Sequence, residues 1–244
     1  MSRKREPVEA KRLLAVLAHP DDETFICGGA LAKYAQAGVA VTLLCATRGE
    51  MGRRLGVPPA ATREGLGDLR EQELSAACRA LGIGEIRLMG LLDKTLDYCR
   101  PDQLAARIAI VMLEVKPHAV LTFHEKLGGH PDHCAIGRAA TLAFKQAGGD
   151  AALYHLLWSD HLADLKSAGA GRERVTEIAV TGDAASAKAE AFRAHRSQSQ
   201  PMEWLWRGGD PARRLAGSEY FLQGSGPARP GERDLLLVEG RGQA

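Results

Sequence analysis

Cysteine is scarce in this sequence, and the few copies are not paired. Among 244 residues there are five cysteines, at positions 27, 45, 78, 99 and 134, and no two form a C-x-x-C motif. The odd number argues against a disulfide framework, and the lack of close pairs argues against a thiolate zinc site. We therefore expect free thiols in a reducing compartment and predict a cytoplasmic protein.

Long apolar runs and a strong net charge are also missing. The first apolar run, LLAVLA, has only six residues and leads into charged residues. It is too short for the core of a signal peptide or for a transmembrane helix, so no membrane association is predicted. The formal net charge is +2, which is too small to indicate a nucleic-acid partner.

The sequence has no glycine-rich turn where a dinucleotide-binding fold would place one. That turn, G-x-G-x-x-G, follows the first strand and cradles a pyrophosphate. Here the corresponding segment is HPDDET, residues 19–24, whose acidic side chains would repel a phosphate. A non-catalytic Rossmann-like ligand-binding module is thus an alternative that this turn does not favour.

Strand and helix patterns alternate along the chain and predict an α/β fold. Apolar runs predict strands at 12–18, 39–47, 85–91, 118–124, 151–158, 174–180 and 234–239. Amphipathic patterns predict helices at 28–38, 68–82, 101–117 and 183–198, and the polar stretch 48–67 predicts an active-site loop. We expect a Rossmann-like, mostly parallel sheet with helices on both faces. Residues 1–244 would form a single domain, with a core at about 11–200 and a small strand-rich C-terminal extension at about 201–244.

Two related clusters follow predicted strands: AHPDDE at 18–23 and GHPDH at 129–133. In an open α/β sheet, ligands bind at the carboxyl edge, where both clusters would lie. Proline and acidic residues suit the start of a helix, which explains part of each cluster without any chemistry. A histidine at a helix start is unfavourable when charged, so we infer a functional role for His19.

Metal binding explains three of the cluster residues. His19, Asp22 and His133 supply two imidazoles and one carboxylate, which is the ligand set of a catalytic zinc site with one open position. The same set suits ferrous iron, so an iron-dependent oxygenase reaction stays open at this point.

Three further cluster residues remain for catalysis. Adjacent side chains point in different directions, so Asp21 can face an attacking water as a general base while its neighbour binds the metal. His130 can donate a hydrogen bond to a developing oxyanion, with Asp132 as its orienting partner.

Charged residues outside the clusters offer substrate contacts. Arg48 and Arg70 could clamp a carboxylate or phosphate, or pair as exposed arginines with Glu50 or Glu73. His195, far along the chain, could line the site or be a surface histidine.

Five short motifs occur over about 180 residues: AHPDDE at 18–23, TRGE at 47–50, R-x-x-EL followed by LG at 70–82, GHPDH at 129–133, and K-x-x-A…H-x-SQ at 188–198. At these motifs the chain resembles the LmbE-like, or PIG-L, family of zinc-dependent N-deacetylases. The resemblance implies a Rossmann-like sheet, one zinc ion per chain and a homo-oligomer, either a trimer or a hexamer. It also implies hydrolysis of an acetamido group on an N-acetylglucosamine-type substrate, in amino-sugar metabolism or in the synthesis of a low-molecular-weight thiol.

Carried over by position, the resemblance implies a role for each cluster residue. The zinc ligands would be His19, Asp22 and His133. Asp21 would act first as base and then as acid, and His130 would stabilise the oxyanion.

The resemblance places substrate contacts with less detail. They would fall on Glu50, Arg70 and a loop acid, either Asp93 or Asp97. The loop at 48–67 and the region after residue 200 have no family match. The sequence therefore predicts a small amino-sugar substrate but does not identify which one.

Overall fold

The computed structural model describes residues 11–165, 170–171, 174–225 and 234–236. Within these residues the strands are β1 (Arg12–Leu17), β2 (Ala40–Thr47), β3 (Glu85–Leu91), β4 (Ala119–Phe123), β5 (Ala152–Leu157), β6 (Val175–Val180) and β7 (Gly217–Ser225). They form one sheet in the order β3-β2-β1-β4-β5-β7-β6. The first five strands in this order pair in parallel, and β7 pairs antiparallel with both of its neighbours.

The helices are α1 (Asp22–Phe25), α2 (Gly28–Gln36), α3 (Leu66–Leu81), α4 (Pro101–Val115), α5 (Pro131–Ala147), α6 (Gly182–Ala194), α7 (Arg196–Ser199), α8 (Glu203–Trp206) and α9 (Pro211–Leu215). Helices α2, α3 and α6 pack against one another, and α4 packs against α5. The chain moves from β1 to β3 in one direction and returns through β4 and β5. Right-handed crossovers therefore place the two helix groups on opposite faces of the sheet.

Local sequence signals explain several helix boundaries. Pro101 and Pro131 occupy the first turns of α4 and α5, where a missing backbone N–H is harmless. Gly82 ends α3 with a φ of 76°, a conformation that glycine adopts without strain. A Cβ on Gly137 would lie 2.2 Å from the carbonyl oxygen of Phe123, so glycine is what lets α5 lie directly on β4.

Burial of the central strands explains their sequences. Residues 13–17 of β1 are apolar and 0% exposed, because helices cover both faces of the sheet. This rigid strand ends at Leu17, immediately before the first HPD cluster. None of the helices in the described ranges is long and apolar enough to cross a bilayer.

The predicted α/β fold class is confirmed, with differences near the C-terminal end. The helix expected at 183–198 breaks at His195, whose φ of −77° and ψ of 48° are not helical. Residues 201–225 are not a strand-rich appendage, because they form α8, α9 and a single strand, β7, which inserts into the main sheet. In the strand expected at 234–239, residues 234–236 are not extended, and 237–239 lie outside the described residues. The single-domain assignment stays a prediction.

Candidate active site

Both HPD clusters lie at the carboxyl edge of the sheet, as their positions after strands predict. His19 to Asp22 follow β1 and lead into α1, and His130 to His133 form the start of α5 after β4. Asp93, which follows β3, joins them. The edge where parallel strands end is the usual ligand-binding position in such sheets.

Three donor groups converge on one point. The Nδ1 atom of His19 lies 3.2 Å from the Nε2 atom of His133 and 3.6 Å from Oδ2 of Asp22. The Nε2 atom of His133 lies 3.1 Å from Oδ1 of Asp22. Zinc ligands at about 2.0–2.2 Å in tetrahedral geometry stand roughly 3.3–3.6 Å apart, so the spacing suits an ion held by both histidines, with either carboxylate oxygen of Asp22 beside one of them.

Hydrogen bonds on the far side of each ring orient the two histidines. The Nδ1 atom of His133 lies 2.9 Å from the carbonyl oxygen of Gly128, and its ring stacks on Phe123. The Nε2 atom of His19 lies 3.1 Å from Asp93 and 3.3 Å from Asp132. Each imidazole therefore uses one nitrogen as a donor and presents the other to the centre, which is the usual arrangement of metal-binding histidines.

The local charges favour a cation. Burial alone would lower the pKa of His19, but hydrogen bonds to Asp132 and Asp93 raise it to about 10. Burial alone would raise the pKa of Asp22, but the charges of His133 and His19 hold it well below its usual range. Carboxylates that stabilise a proton on His19 this strongly also favour a metal ion at the same place.

His19 also belongs to two other sets of side chains that could hold a metal ion. One set adds His130 and His133, and the other adds Asp93 and Asp132. In the second set, both carboxylates already accept backbone N–H groups. Asp93 accepts one from Met51 at 3.0 Å, and Asp132 accepts one from Lys94 at 2.7 Å. Both carboxylates also contact Nε2 of His19, whereas His133 lies at Nδ1 of the same ring, so they suit orienting the imidazole rather than binding the metal beside it.

Asp21 lies beside the converging donors in an unusual conformation. Its φ is 110°, a region that non-glycine residues rarely occupy. One carboxylate oxygen lies 2.8 Å from the guanidinium of Arg70, which is only 4% exposed. Burial raises the pKa of Asp21 to about 6, although the charge of Arg70 opposes that shift. The carboxylate can therefore take up and release a proton near neutral pH.

His130 caps the start of α5. Its Nδ1 atom accepts a hydrogen bond from the backbone N–H of Asp132 at 3.1 Å, so a neutral ring carries its proton on Nε2. Burial lowers the pKa of His130, as do the charges of His19 and His133. The residue is therefore a neutral hydrogen-bond donor that lines the cavity.

The predicted role of Asp132 needs correction. The sequence places it beside His130 as that residue's orienting partner. In the structure only its backbone N–H contacts the ring of His130, whereas its fully buried carboxylate contacts His19. The carboxylate is held there because it accepts the backbone N–H groups of Lys94 at 2.7 Å and Leu96 at 3.1 Å.

Two of the predicted substrate contacts, Glu50 and Arg48, do not line the cavity and stay predictions. Glu50 accepts the backbone N–H groups of Arg48 at 3.2 Å and Asp93 at 3.1 Å, and so ties two loops together. Arg48 turns toward α3, where it pairs with Asp68 and lies 2.9 Å from Glu71. Neither side chain lines the cavity, because each is engaged by its own loop or by the neighbouring helix.

The remaining predicted substrate contacts differ in whether they line the cavity. Arg70 and Asp93 line the cavity, although each side chain is already paired within the site. Asp97 is exposed and lies near Arg138, away from the cavity. His195 is 0% exposed, so it neither lines the site nor lies on the surface.

The cavity, of about 320 Å³, has further walls that sequence reasoning missed. They are Arg53, Lys94, Trp158 and Gln198. Sequence signals existed for two of them: the polar loop at 48–67 carries Arg53, and the H-x-SQ motif ends at Gln198.

Comparison with known proteins identifies the family. The sequence model of the family described as PIG-L, GlcNAc-PI de-N-acetylase, matches residues 14–144, more than half of the chain. The chain belongs to the PIG-L family. The family predicted from the motifs is thereby confirmed, and both HPD clusters fall within the matched residues.

Several relatives of this PIG-L chain are described as sugar deacetylases. A probable N-acetyl-alpha-D-glucosaminyl L-malate deacetylase 2 of Bacillus subtilis is 38% identical over 79% of this chain and 85% of the relative. The Bacillus cereus protein of that name is 41% identical over 54% of this chain and 60% of its own length. A 1D-myo-inositol 2-acetamido-2-deoxy-alpha-D-glucopyranoside deacetylase of Rhodococcus erythropolis is 38% identical over 57% of each protein. The match thus spans less than two thirds of the last two relatives.

Solved structures share the PIG-L fold at low identity. N,N'-diacetylchitobiose deacetylase from Pyrococcus horikoshii has a TM-score of 0.64 and 22% identity, covering 82% of this chain and 75% of that one. GalB, a 4-carboxy-2-hydroxymuconate hydratase from Pseudomonas putida KT2440, has a TM-score of 0.63 and 20% identity, covering 91% and 99%. Because a hydratase shares the fold, the fold alone does not select the reaction.

Proposed function

We propose that this protein is a zinc-dependent N-deacetylase that hydrolyses the acetamido group of an N-acetylglucosamine-type sugar. The observation that carries the proposal is the convergence of His19, Asp22 and His133, with donor atoms 3.1–3.6 Å apart, beside the carboxylate of Asp21. The deacetylase descriptions of the Bacillus and Rhodococcus relatives support the reaction class.

The donor set has the composition of a catalytic zinc site rather than a structural one. It offers two histidines and one carboxylate, with no thiolate, and it borders an open cavity. A zinc ion bound there would supply Lewis acidity, which lowers the pKa of water and polarises an amide carbonyl.

The protein's own residues account for the proton transfers. Asp21 accepts a proton from the attacking water as the new carbon–oxygen bond forms. The Nε2–H of His130 donates to the oxygen that gains negative charge. When the carbon–nitrogen bond breaks, Asp21 returns its proton to the nitrogen, and acetate and a free amine leave.

The charges around the cavity favour a substrate with an anionic group next to the sugar. The cavity carboxylates are engaged: Asp21 with Arg70, and Asp22 and Asp93 with the histidines. Arg53 and Lys94 also line the cavity, and neither forms an ion pair within the part of the chain that the structure describes. The unbalanced charge at the cavity is therefore positive.

These two cations provide a test of substrate choice. Arg53→Ala and Lys94→Ala should each lower kcat/KM by up to about fivefold for an N-acetylglucosaminyl malate conjugate, which carries carboxylates. The uncharged inositol conjugate should be little affected. Arg54→Ala is the matched control, because Arg54 is exposed but does not line the cavity. Equal losses on both conjugates would contradict the charge argument.

The proposed reaction is tested by metal analysis combined with an amine-release assay. We expect about one zinc per chain and release of amine from N-acetylglucosamine conjugates. Chelation should abolish the release, and added zinc should restore it. Restoration by ferrous iron instead would favour the iron alternative, and a metal-filled protein inactive on every conjugate would favour a binding module.

Two further expectations stay predictions. They are the homo-oligomer and the cytoplasmic location.

A further inference from the structure

Two buried side chains behind the active site have no role in the proposed chemistry. They are His195 and Ser197 of the H-x-SQ motif at 195–198, where α6 meets α7. His195 and Ser197 are 0% and 3% exposed, and each contacts a buried glutamate. The Nε2 atom of His195 lies 2.6 Å from Oε1 of Glu23, and the Ser197 hydroxyl donates to Oε2 of Glu73 at 2.6 Å.

The first glutamate holds the backbone of Asp21. The second carboxylate oxygen of Glu23 accepts the N–H of Asp21 at 2.9 Å. Asp21 has a φ of 110°, and such a conformation persists in a non-glycine residue only when its surroundings hold it in place. The other carboxylate oxygen, Oε1, is held by His195 and by the hydroxyl of Thr24, and all three side chains are fully buried.

The second glutamate lies on α3, the helix that also carries Arg70. Glu73 lies one turn after Arg70 on α3, and the Arg70 guanidinium donates to the Asp21 carboxylate at 2.8 Å. Ser197 contacts Glu73 twice, through its hydroxyl and through its backbone N–H at 2.7 Å. The segment 195–197 therefore contacts Glu23, which holds the backbone of Asp21 directly, and α3, the helix from which Arg70 reaches the Asp21 carboxylate.

The neighbouring metal-binding carboxylate is held from elsewhere. Oδ2 of Asp22 accepts the backbone N–H groups of Ala18 at 3.1 Å and His19 at 2.8 Å. Both donors belong to the chain just after β1. Loss of the contact at His195 is therefore expected to move Asp21 and to leave Asp22 in place.

We propose that His195 and Ser197 are positioning residues that hold Asp21 at the orientation required for proton transfer, acting through Glu23 and Glu73. The inference rests on the proposed deacetylase function for its kinetic consequence. Its structural consequence, the restraint on Asp21, is independent of that function.

The test compares His195→Leu with His195→Gln. Leucine removes the N–H donor, whereas glutamine can keep a donor close to the position of Nε2. Glutamine loses no other bond, because Nδ1 of His195 has no hydrogen-bond partner among the described residues. We expect His195→Leu to lower kcat by roughly 10²-fold, with KM and bound zinc unchanged, and His195→Gln to restore most of kcat.

Two buried serines of α7 supply a second, milder comparison. Ser197→Ala removes the hydroxyl bond to Glu73, whereas Ser199→Ala removes a hydroxyl bond to the backbone of Phe192 in α6. We expect only Ser197→Ala to lower kcat, and by less than His195→Leu, because the backbone N–H of Ser197 still contacts Glu73. This pair decides the question if His195→Leu does not fold, and equal kcat values for the two serine variants would overturn the proposal.

Amide hydrogen exchange gives a readout that does not require activity. The Asp21 amide should exchange faster in His195→Leu than in wild type or His195→Gln, while the amides of β1 and β4 stay unchanged. Unchanged exchange and kcat in a folded His195→Leu would overturn the proposal, as would loss of zinc together with kcat. A wild-type protein inactive on every conjugate would refute the deacetylase function, and the exchange of Asp21 would still decide the positioning role.

Discussion

Asp21→Asn is expected to lower kcat for amine release by roughly 10²- to 10⁴-fold while about one metal ion per chain is retained. Asparagine has nearly the same shape as aspartate, but its amide cannot accept the proton of the attacking water or return it to the amine. Metal is retained because His19, Asp22 and His133 are unchanged. The measurement is kcat by amine release together with metal content by mass spectrometry.

The appropriate control for Asp21→Asn is Asp97→Asn. Asp97 is an exposed carboxylate in the loop after β3, and it does not line the cavity. The same amide substitution there should leave kcat unchanged. A melting curve is needed as well, because Arg70 is 4% exposed and would lose its charged partner in the Asp21 variant. Full activity of Asp21→Asn would refute its role as the base.

His133→Ala is expected to lose both bound metal and activity. The substitution removes one of three converging donors, so metal affinity should fall by more than the roughly 10- to 100-fold typical of losing a partner that only orients a ligand. The loss should exceed that of any substitution confined to the cavity wall. It is measured as metal content after dialysis and as amine release with and without added zinc.

The control for His133→Ala is His118→Ala. His118 lies just before β4, at the opposite edge of the sheet, where its ring accepts the backbone N–H of Arg12. That variant should keep its metal, whatever it loses in stability. If His133→Ala retained one metal per chain after dialysis, the ligand set would have to be reassigned, with His130 as the next donor.

The two predictions separate metal binding from proton transfer within one cluster. Asp21 and Asp22 are adjacent, yet their contacts differ. Asp22 faces His19 and His133, while Asp21 faces Arg70. Retention of metal in one variant and its loss in the other would establish this division of roles in solution.

The sequence alone was sufficient to place the proposed metal ligands and the proposed base at one site. His19, Asp21 and Asp22 lie within five residues of the end of β1, and His133 follows β4, which pairs with β1. Parallel strands end at a common edge, so short-range patterns determine which residues meet there. The same kind of pattern predicted the five parallel strands and the helices between them, because local periodicity defines buried strands and amphipathic helices.

Only the tertiary structure decided which partner each of the remaining side chains contacts. Glu23 and His195 are separated by 172 positions, and no local pattern indicates that they touch. Glu50 lies beside the site but faces two backbone N–H groups, and the carboxylate of Asp132 orients His19 instead of His130. Likewise, β7 lies between β5 and β6 although it follows both in the chain. Sequence periodicity determines which face of an element is buried, whereas the direction of a side chain and the pairing of distant segments depend on how the elements pack.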